Sequence, residues 1–213
     1  MHPPQLCRDC KICDPVAVTT GLRERKKTAT RLALHEAALR LVAERGLDRV
    51  SVDDIAARGD VGPRAFFNYF ASKDDAVVGL DPAAPAAQAA AFAARPPEES
   101  PVEAMRAIAR EGAVRMAEDP QLWPLRLQVV ETNPALVAKL AVAFGESDRV
   151  LATAIAERTG TRVDADPLPM LLAGVAGAAM RTSLHRWCAS DFTASLPDLV
   201  DEAWDAVAAG LPG

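Results

Sequence analysis

The sequence predicts an all-α protein, with a three-helix N-terminal unit of helix-turn-helix type followed by a larger helical domain. Three observations carry this. Aromatics make up 5% of the 213 residues, alanine is very frequent, and β-branched residues form few alternating runs. That combination favours helix over strand. Apolar residues recur at helical spacing between Gly and Pro punctuation. Residues 51–70 read as a short helix, a turn of about four residues containing glycine, and a second short helix.

Taken in order, residues 23–45 form the first helix. Leu34, Ala38, Leu41 and Val42 fall at i, i+4, i+7 and i+8 on one stripe. Gly46 stops it. Ser51 can cap the next helix, with Asp53 and Asp54 at its positive end, and Val52, Ile55 and Ala56 give its buried face. Residues 59–62 interrupt. Pro63 suits the first position of a helix, which runs over 63–70. Ser72 can cap another beginning at Lys73. Beyond residue 80, Asp81-Pro82 and Ala84-Pro85 break the chain, and residues 95–101 are a loop. Helices are expected at 102–118, 121–132, 135–158, 168–188 and 196–209. Pro124 lies in a first turn, where it is tolerated.

This organisation divides the chain into a tail (1–20), the helix-turn-helix unit (21–80) and the larger helical domain (81–213). Half the residues are apolar and a quarter charged, which argues against global disorder. The longest uncharged apolar runs, 82–94 and 167–180, fall short of the roughly 20 residues that span a membrane. No continuous apolar stretch precedes the basic cluster near the N-terminus, so a cytoplasmic location is expected and no membrane partner.

The net charge of -5 is unevenly distributed. Residues 21–80 carry 11 basic and 9 acidic side chains, whereas 81–213 carry 11 and 18. Arg23, Arg25, Lys26, Lys27 and Arg31 face a single Glu24. A basic arm on an acidic protein points one end toward a polyanion, although a solvated first turn would look the same. In the helix-turn-helix plan the first short helix crosses the sugar–phosphate backbone. The second puts its N-terminal half into the major groove, and helix 23–45 supplies the floor that neither could make alone.

The segments 30–46, 51–56 and 61–74 together resemble the N-terminal domain of the TetR family of bacterial transcriptional regulators. In particular, Arg64-Ala65-Phe66-Phe67-Asn68-Tyr69-Phe70 and the following Ser72-Lys73 fall in register. The resemblance implies a homodimer reading a pseudo-palindromic double-stranded operator, and a C-terminal domain that binds a small-molecule effector and dimerises through its last long helices. In most such proteins DNA binding represses and ligand releases. The family pattern puts Ser51 at a phosphate, Arg64 and Ala65 at base edges, Phe67 where tyrosine is usual, Tyr69 two residues on, and Lys73 against the backbone. Arg25, Lys26 and Lys27 of the arm complete the expected DNA-contacting set. Two departures matter. The turn, usually Ala-Gly, is Gly59-Asp60, and Asp tolerates a left-handed conformation better than most residues. Gly62 and Ala65 replace hydroxyl residues, so base discrimination should lean on Arg64, helped by Asn68.

Residues 123–127, 131–136 and 168–187 are similar to the family's subgroup of regulators of acyl-CoA-like ligands, which includes mycofactocin-system regulators. That would imply an apolar acyl chain with an anionic head group. Met105, Ile108 and Trp123 are candidate pocket walls, plain core being the alternative. Arg126, set among Leu122, Trp123, Leu125 and Leu127, could anchor a ligand, pair with Glu131 or snorkel to the surface. Gly174, Gly177 and Ala178 on helix 168–188 permit close helix approach, which on the family's plan is a dimer seam that also takes Leu171 and Val175; tight packing within one subunit is the alternative. Phe66 and Phe70 are expected in the core, and Trp187 and Trp204 as core or interface anchors.

Ser183, His35 and His185 form no visible triad, and no phosphate loop occurs, so neither an enzyme nor a cofactor is expected. Cys7, Cys10 and Cys13 could hold zinc or part of a cluster with His2 or Cys188. The favoured reading makes residues 1–17 a tail, or a segment upstream of a start at Val18, with no metal. Two further alternatives remain at this point: a metal or redox sensor using that tail, and a helical lipid-binding protein that has lost DNA binding.

Overall fold

A computed structural model describes residues 15–118 and 122–210. The described residues form ten α-helices, one short 3-10 turn (Leu47–Arg49) and no strand. The N-terminal unit comprises α1 (Pro15–Arg45), α2 (Val52–Arg58), α3 (Pro63–Phe66) and α4 (Lys73–Val78). Its core is the stripe read from the sequence. Leu34, Ala38, Leu41 and Val42 of α1 meet Ile55 and Ala56 of α2, Phe66 and Phe70, and Ala76, Val77 and Val78 of α4. Ser51 caps α2 in a capping box, accepting from the Asp54 amide while the Asp54 side chain accepts from the Ser51 amide.

The turn between α2 and α3 explains its own unusual sequence. Asp60 takes the left-handed conformation, at φ 55°. Gly59 sits against α1, where a Cβ would lie 2.6 Å from Leu34 Cδ2. Close approach is therefore the role of Gly59, and the left-handed bend falls to Asp60.

Two boundaries and one element differ from expectation. The first helix begins at Pro15 rather than residue 23. Regular α-helix in the recognition segment ends at Phe66 rather than residue 70. The Asn68 and Tyr69 amides instead bond to the carbonyls three residues back, Ala65 and Phe66, so the chain tightens. The third is a helix not foreseen, α5 (Ala84–Ala93). Pro85 marks its first turn, where proline is compatible with helix, and the alanine-rich sequence has high intrinsic propensity.

The larger unit continues with α6 (Pro101–Ala117), α7 (Trp123–Glu131), α8 (Pro134–Thr159), α9 (Leu168–Ala189) and α10 (Leu196–Ala208). Its core gathers Phe92, Met105, Ile108, Leu151, Ile155, Leu172, Trp187, Val200 and Trp204. Trp187 stacks edge-on with Trp123 and Phe192, at centroid separations of 6.2 and 4.9 Å. The two units are joined by packing. Val129 and Val130 of α7 and Leu136 of α8 close the N-terminal core from the other side.

Candidate functional site

The first candidate surface is the outer edge of the helix-turn-helix. Gly62, Arg64 and Asn68 are exposed, and Phe67 is 59% exposed although it is aromatic. Phe66 and Phe70 turn inward and anchor the segment, as expected. Their alternation with outward residues leaves Arg64, Phe67 and Asn68 as the leading edge. Ala65 and Tyr69 are half-buried, and Tyr69 packs against the N-terminal core. On α1, Arg25, Lys26 and Lys27 are exposed. The Ser51 hydroxyl lies 2.5 Å from the Asp54 carboxylate, to which it donates. Hydrogen bonding to Ser51 holds the Asp54 carboxyl below its ordinary range.

Lys73 is placed differently from a free phosphate-binding side chain. Its Nζ donates to the carbonyls of Leu47 (2.8 Å) and Val50 (3.1 Å), tying the 3-10 turn to α4. A third proton remains on the ammonium. Lys73 is thus a fastener of the turn before α2 as well as a cation on that side of the domain.

The second site is a cavity of about 1230 Å³ between α5, α6, α7, α8 and α9, with residues 79–81 at its rim. Small side chains leave it open: Ala84, Ala87 and Ala91 on α5, and Ala173, Ala176 and Gly177 on α9. Pockets for drug-sized ligands measure about 300–1,000 Å³, so this space admits a larger molecule. Of the four residues expected in a pocket, Ile108, Trp123 and Arg126 line it. Met105 does not. It is wholly buried, closed in by the C-terminal core cluster about one turn before Ile108 reaches the cavity.

Arg126 is the polar feature of the cavity that stands out. Its guanidinium lies 4.8 Å from the Trp123 ring centroid. Among the described residues no carboxylate lies within ion-pairing distance, Glu131 included. Desolvation pushes its pKa down to about 10. Asp148, Arg181, His185 and Cys188 also line the cavity and were not foreseen. Burial raises the Asp148 carboxyl. Their helical positions were legible, but which face of α8 and α9 turns toward the cavity depends on tertiary packing.

On α9, Leu171 is 64% exposed, Ala178 is exposed, and a Cβ on Gly174 would meet open space. These three share one face. Val175 is half-buried and packs against the C-terminal core instead. Trp187 and Trp204 are core residues. Cys7, Cys10, Cys13 and His2 lie outside the described residues. Among those described, no group of three or more His, Cys, Asp or Glu side chains could hold a metal, and no helix is long and apolar enough to cross a membrane.

Residues 34–77 match the family model described as bacterial regulatory proteins of the tetR family, and residues 99–212 match the MftR C-terminal domain. The chain belongs to the TetR family of transcriptional regulators. A relative in this family, the HTH-type transcriptional regulator TcmR of Streptomyces glaucescens, is 35% identical over 173 residues, covering 78% of this chain and 76% of that protein. A protein of Mycobacterium tuberculosis named as a mycofactocin biosynthesis transcriptional regulator, MftR, is 26% identical over 188 residues, covering 88% and 93%. The fold is similar to that of the transcriptional regulator FadR from Bacillus subtilis in complex with stearoyl-CoA. That likeness has a TM-score of 0.57 at 17% identity and covers 85% of this chain and 99% of that one. The expected fold and family are therefore established, with a helix-turn-helix unit and an MftR-type C-terminal domain on one TetR-family chain.

Proposed function

We propose that this TetR-family regulator works as a homodimer on a pseudo-palindromic operator and is released from it by an apolar effector, acyl-CoA-like in having an anionic group. The single observation that carries this is the large, small-residue-walled cavity whose rim, residues 79–81, directly continues the helix-turn-helix unit. Arg126 lines this cavity half-buried and without a carboxylate in ion-pairing distance, so an anion reaching it would meet an unpaired cation. Arg126 on Trp123 therefore suits an acidic group, with the alanine-lined space taking a chain. FadR, of similar fold, holds stearoyl-CoA.

On the DNA side, Arg25, Lys26, Lys27 and Lys73 supply phosphate contacts, whereas Ser51, whose hydroxyl and amide both donate to Asp54, acts as the cap that positions α2. Gly62, Arg64, Ala65, Phe67, Asn68 and Tyr69 form the edge laid in the major groove, with Arg64 and Asn68 offering hydrogen bonds to bases. Leu171, Gly174 and Ala178 contribute to the dimer seam, with Val175 supporting them from the core side. Effector binding favours a spacing of the paired reading edges that misfits successive grooves. By reciprocity the operator weakens effector binding by the same factor.

The test is binding to a duplex selected in vitro from random sequence, beside its scrambled counterpart. Arg64→Ala should lose about 1–3 kcal/mol on the selected duplex and much less on the scrambled one. Equal losses on both would contradict base reading by Arg64. Mass spectrometry of what co-purifies should identify an amphiphilic acid, retained less by Arg126→Gln.

A further inference from the structure

We infer that Arg31 is a positioning residue coupling the cavity to the DNA-reading edge: one guanidinium on α1 ties the cavity rim to the end of the recognition segment. This rests on the cavity being the effector site.

The geometry is specific. Arg31 Nη1 donates to the carbonyl of Tyr69, and Nη2 of the same group donates to the carbonyl of Leu80. The guanidinium carbon also lies 4.1 Å from the Phe70 ring centroid. Tyr69 follows Asn68 directly, and Leu80 lines the cavity together with Gly79 and Asp81. The two carbonyls flank α4, so α4 is held at both ends by one planar, rigid fork. His35, one turn further along α1, holds it in the middle through Nδ1 and the Ala76 carbonyl, 2.7 Å apart. The His35 ring fills the space over Gly79, where a Cβ would lie 2.3 Å from it. The glycine at φ +68° thus lets the rim lie flat on α1.

The two charged hydrogen bonds of Arg31 add to stability as well as joining two segments. Arg31 is half-buried, burial lowers its pKa, and among the described residues no carboxylate pairs with it within 4.0 Å; Asp81 and Asp75 oppose the burial only from a distance. What an apolar side chain lacks is the fork that reaches two backbone segments at once. The recognition segment needs such a link, because the chief packing partner of α3 is α2 rather than the larger domain. An occupant that displaces residues 79–81 takes the Leu80 carbonyl with it. The guanidinium must then turn or release a bond, and the Tyr69 carbonyl at its other edge moves or is freed. Arg31 converts a shift of the rim into a change at the reading edge.

The experiment uses the full chain in three forms, wild type, Arg31→Met and Arg31→Lys, each checked by thermal melting. Dodecanoate binding is followed by tryptophan fluorescence, and release of the in-vitro-selected duplex by anisotropy. In parallel, Ala87→Trp is introduced in each form as a built-in occupant of the cavity. In wild type, dodecanoate or Ala87→Trp should weaken duplex binding by about tenfold or more. In both Arg31 variants dodecanoate should bind within about twofold of wild type, while release shrinks to about twofold or less. Lysine should fail like methionine, because it keeps the charge but not the fork. Full release in a folded Arg31→Met protein would overturn the inference, as would rescue by lysine. If dodecanoate fails to bind wild type, the effector reading is at fault. Arg31 is then judged by Ala87→Trp, whose effect must vanish in the Arg31 variants.

Discussion

His35 shows what burial does to an ionisable side chain. It lies on α1, facing α4 rather than the surface. Here it is buried, its pKa is pushed down to about 4, chiefly by desolvation, and the nearby Arg126 and Arg31 charges add to this. The Ala76 carbonyl and Glu36 act the other way. Because the folded pKa lies below the ordinary 6.5, the unfolded chain binds more protons between those values. Stability is therefore full above about pH 6.5, falls as pH drops toward 4, and levels off below. The loss should approach about 3 kcal/mol, read as a falling urea midpoint, and its slope should flatten in His35→Gln. Lys73 carries a second prediction at this scale. Removing its two charged hydrogen bonds should lower stability by about 1.5–3 kcal/mol. Thermal melting of Lys73→Ala would register that, together with a weakening of DNA binding that is about equal on selected and scrambled duplexes.

At the scale of elements, the short helices are held by their ends. Helix α2 spans seven residues, too short to persist alone, and its capping box satisfies amides that would otherwise lack partners. Ser51→Ala should cost about 1 kcal/mol, seen as a lower melting temperature, and Ser51→Asp should recover much of it. The same logic explains why the recognition segment tightens after Phe66. Phe66 and Phe70 must both reach the core, and their rings lie 5.9 Å apart, so the backbone between them follows the rings. Helix α5 makes the opposite point. Its alanines bury little, and Phe92 alone among its residues is fully buried. Its small side chains leave the cavity its volume.

Across the whole molecule, an acidic larger domain carries a smaller unit with a basic arm, and the two share a core through α7 and the start of α8. That shared core keeps the rim of the cavity and the reading edge within one packed assembly. The exposed face of α9 is the place to test association. Leu171→Asp should leave the subunit folded, because Leu171 is 64% exposed, and should halve the mass seen by light scattering. Affinity for a two-half-site duplex should fall with it, since each subunit would then bind alone. Measured DNA affinities will depend on salt, because phosphate contacts release counterions.

Much was legible in the residues themselves. The stripe of α1, the Ser51 and Ser72 caps, Pro63 and the inward Phe66 and Phe70 follow from spacing and local backbone chemistry, which act over a few neighbours. The left-handed Asp60 could be expected for the same reason. The pocket residues were only partly legible: Ile108, Trp123 and Arg126 reach the cavity, whereas Met105 is sealed in the core. Helical periodicity says which residues share a face but not which neighbour that face meets. Helix α5, the cavity it helps enclose and the double grip of Arg31 join segments far apart in the chain. By itself the sequence determined the helices, their caps and the kind of protein they build, since those rest on short-range forces. The cavity, the isolation of Arg126 within it and the link from rim to reading edge were decided by tertiary structure alone, because each depends on how distant helices exclude or admit water between them.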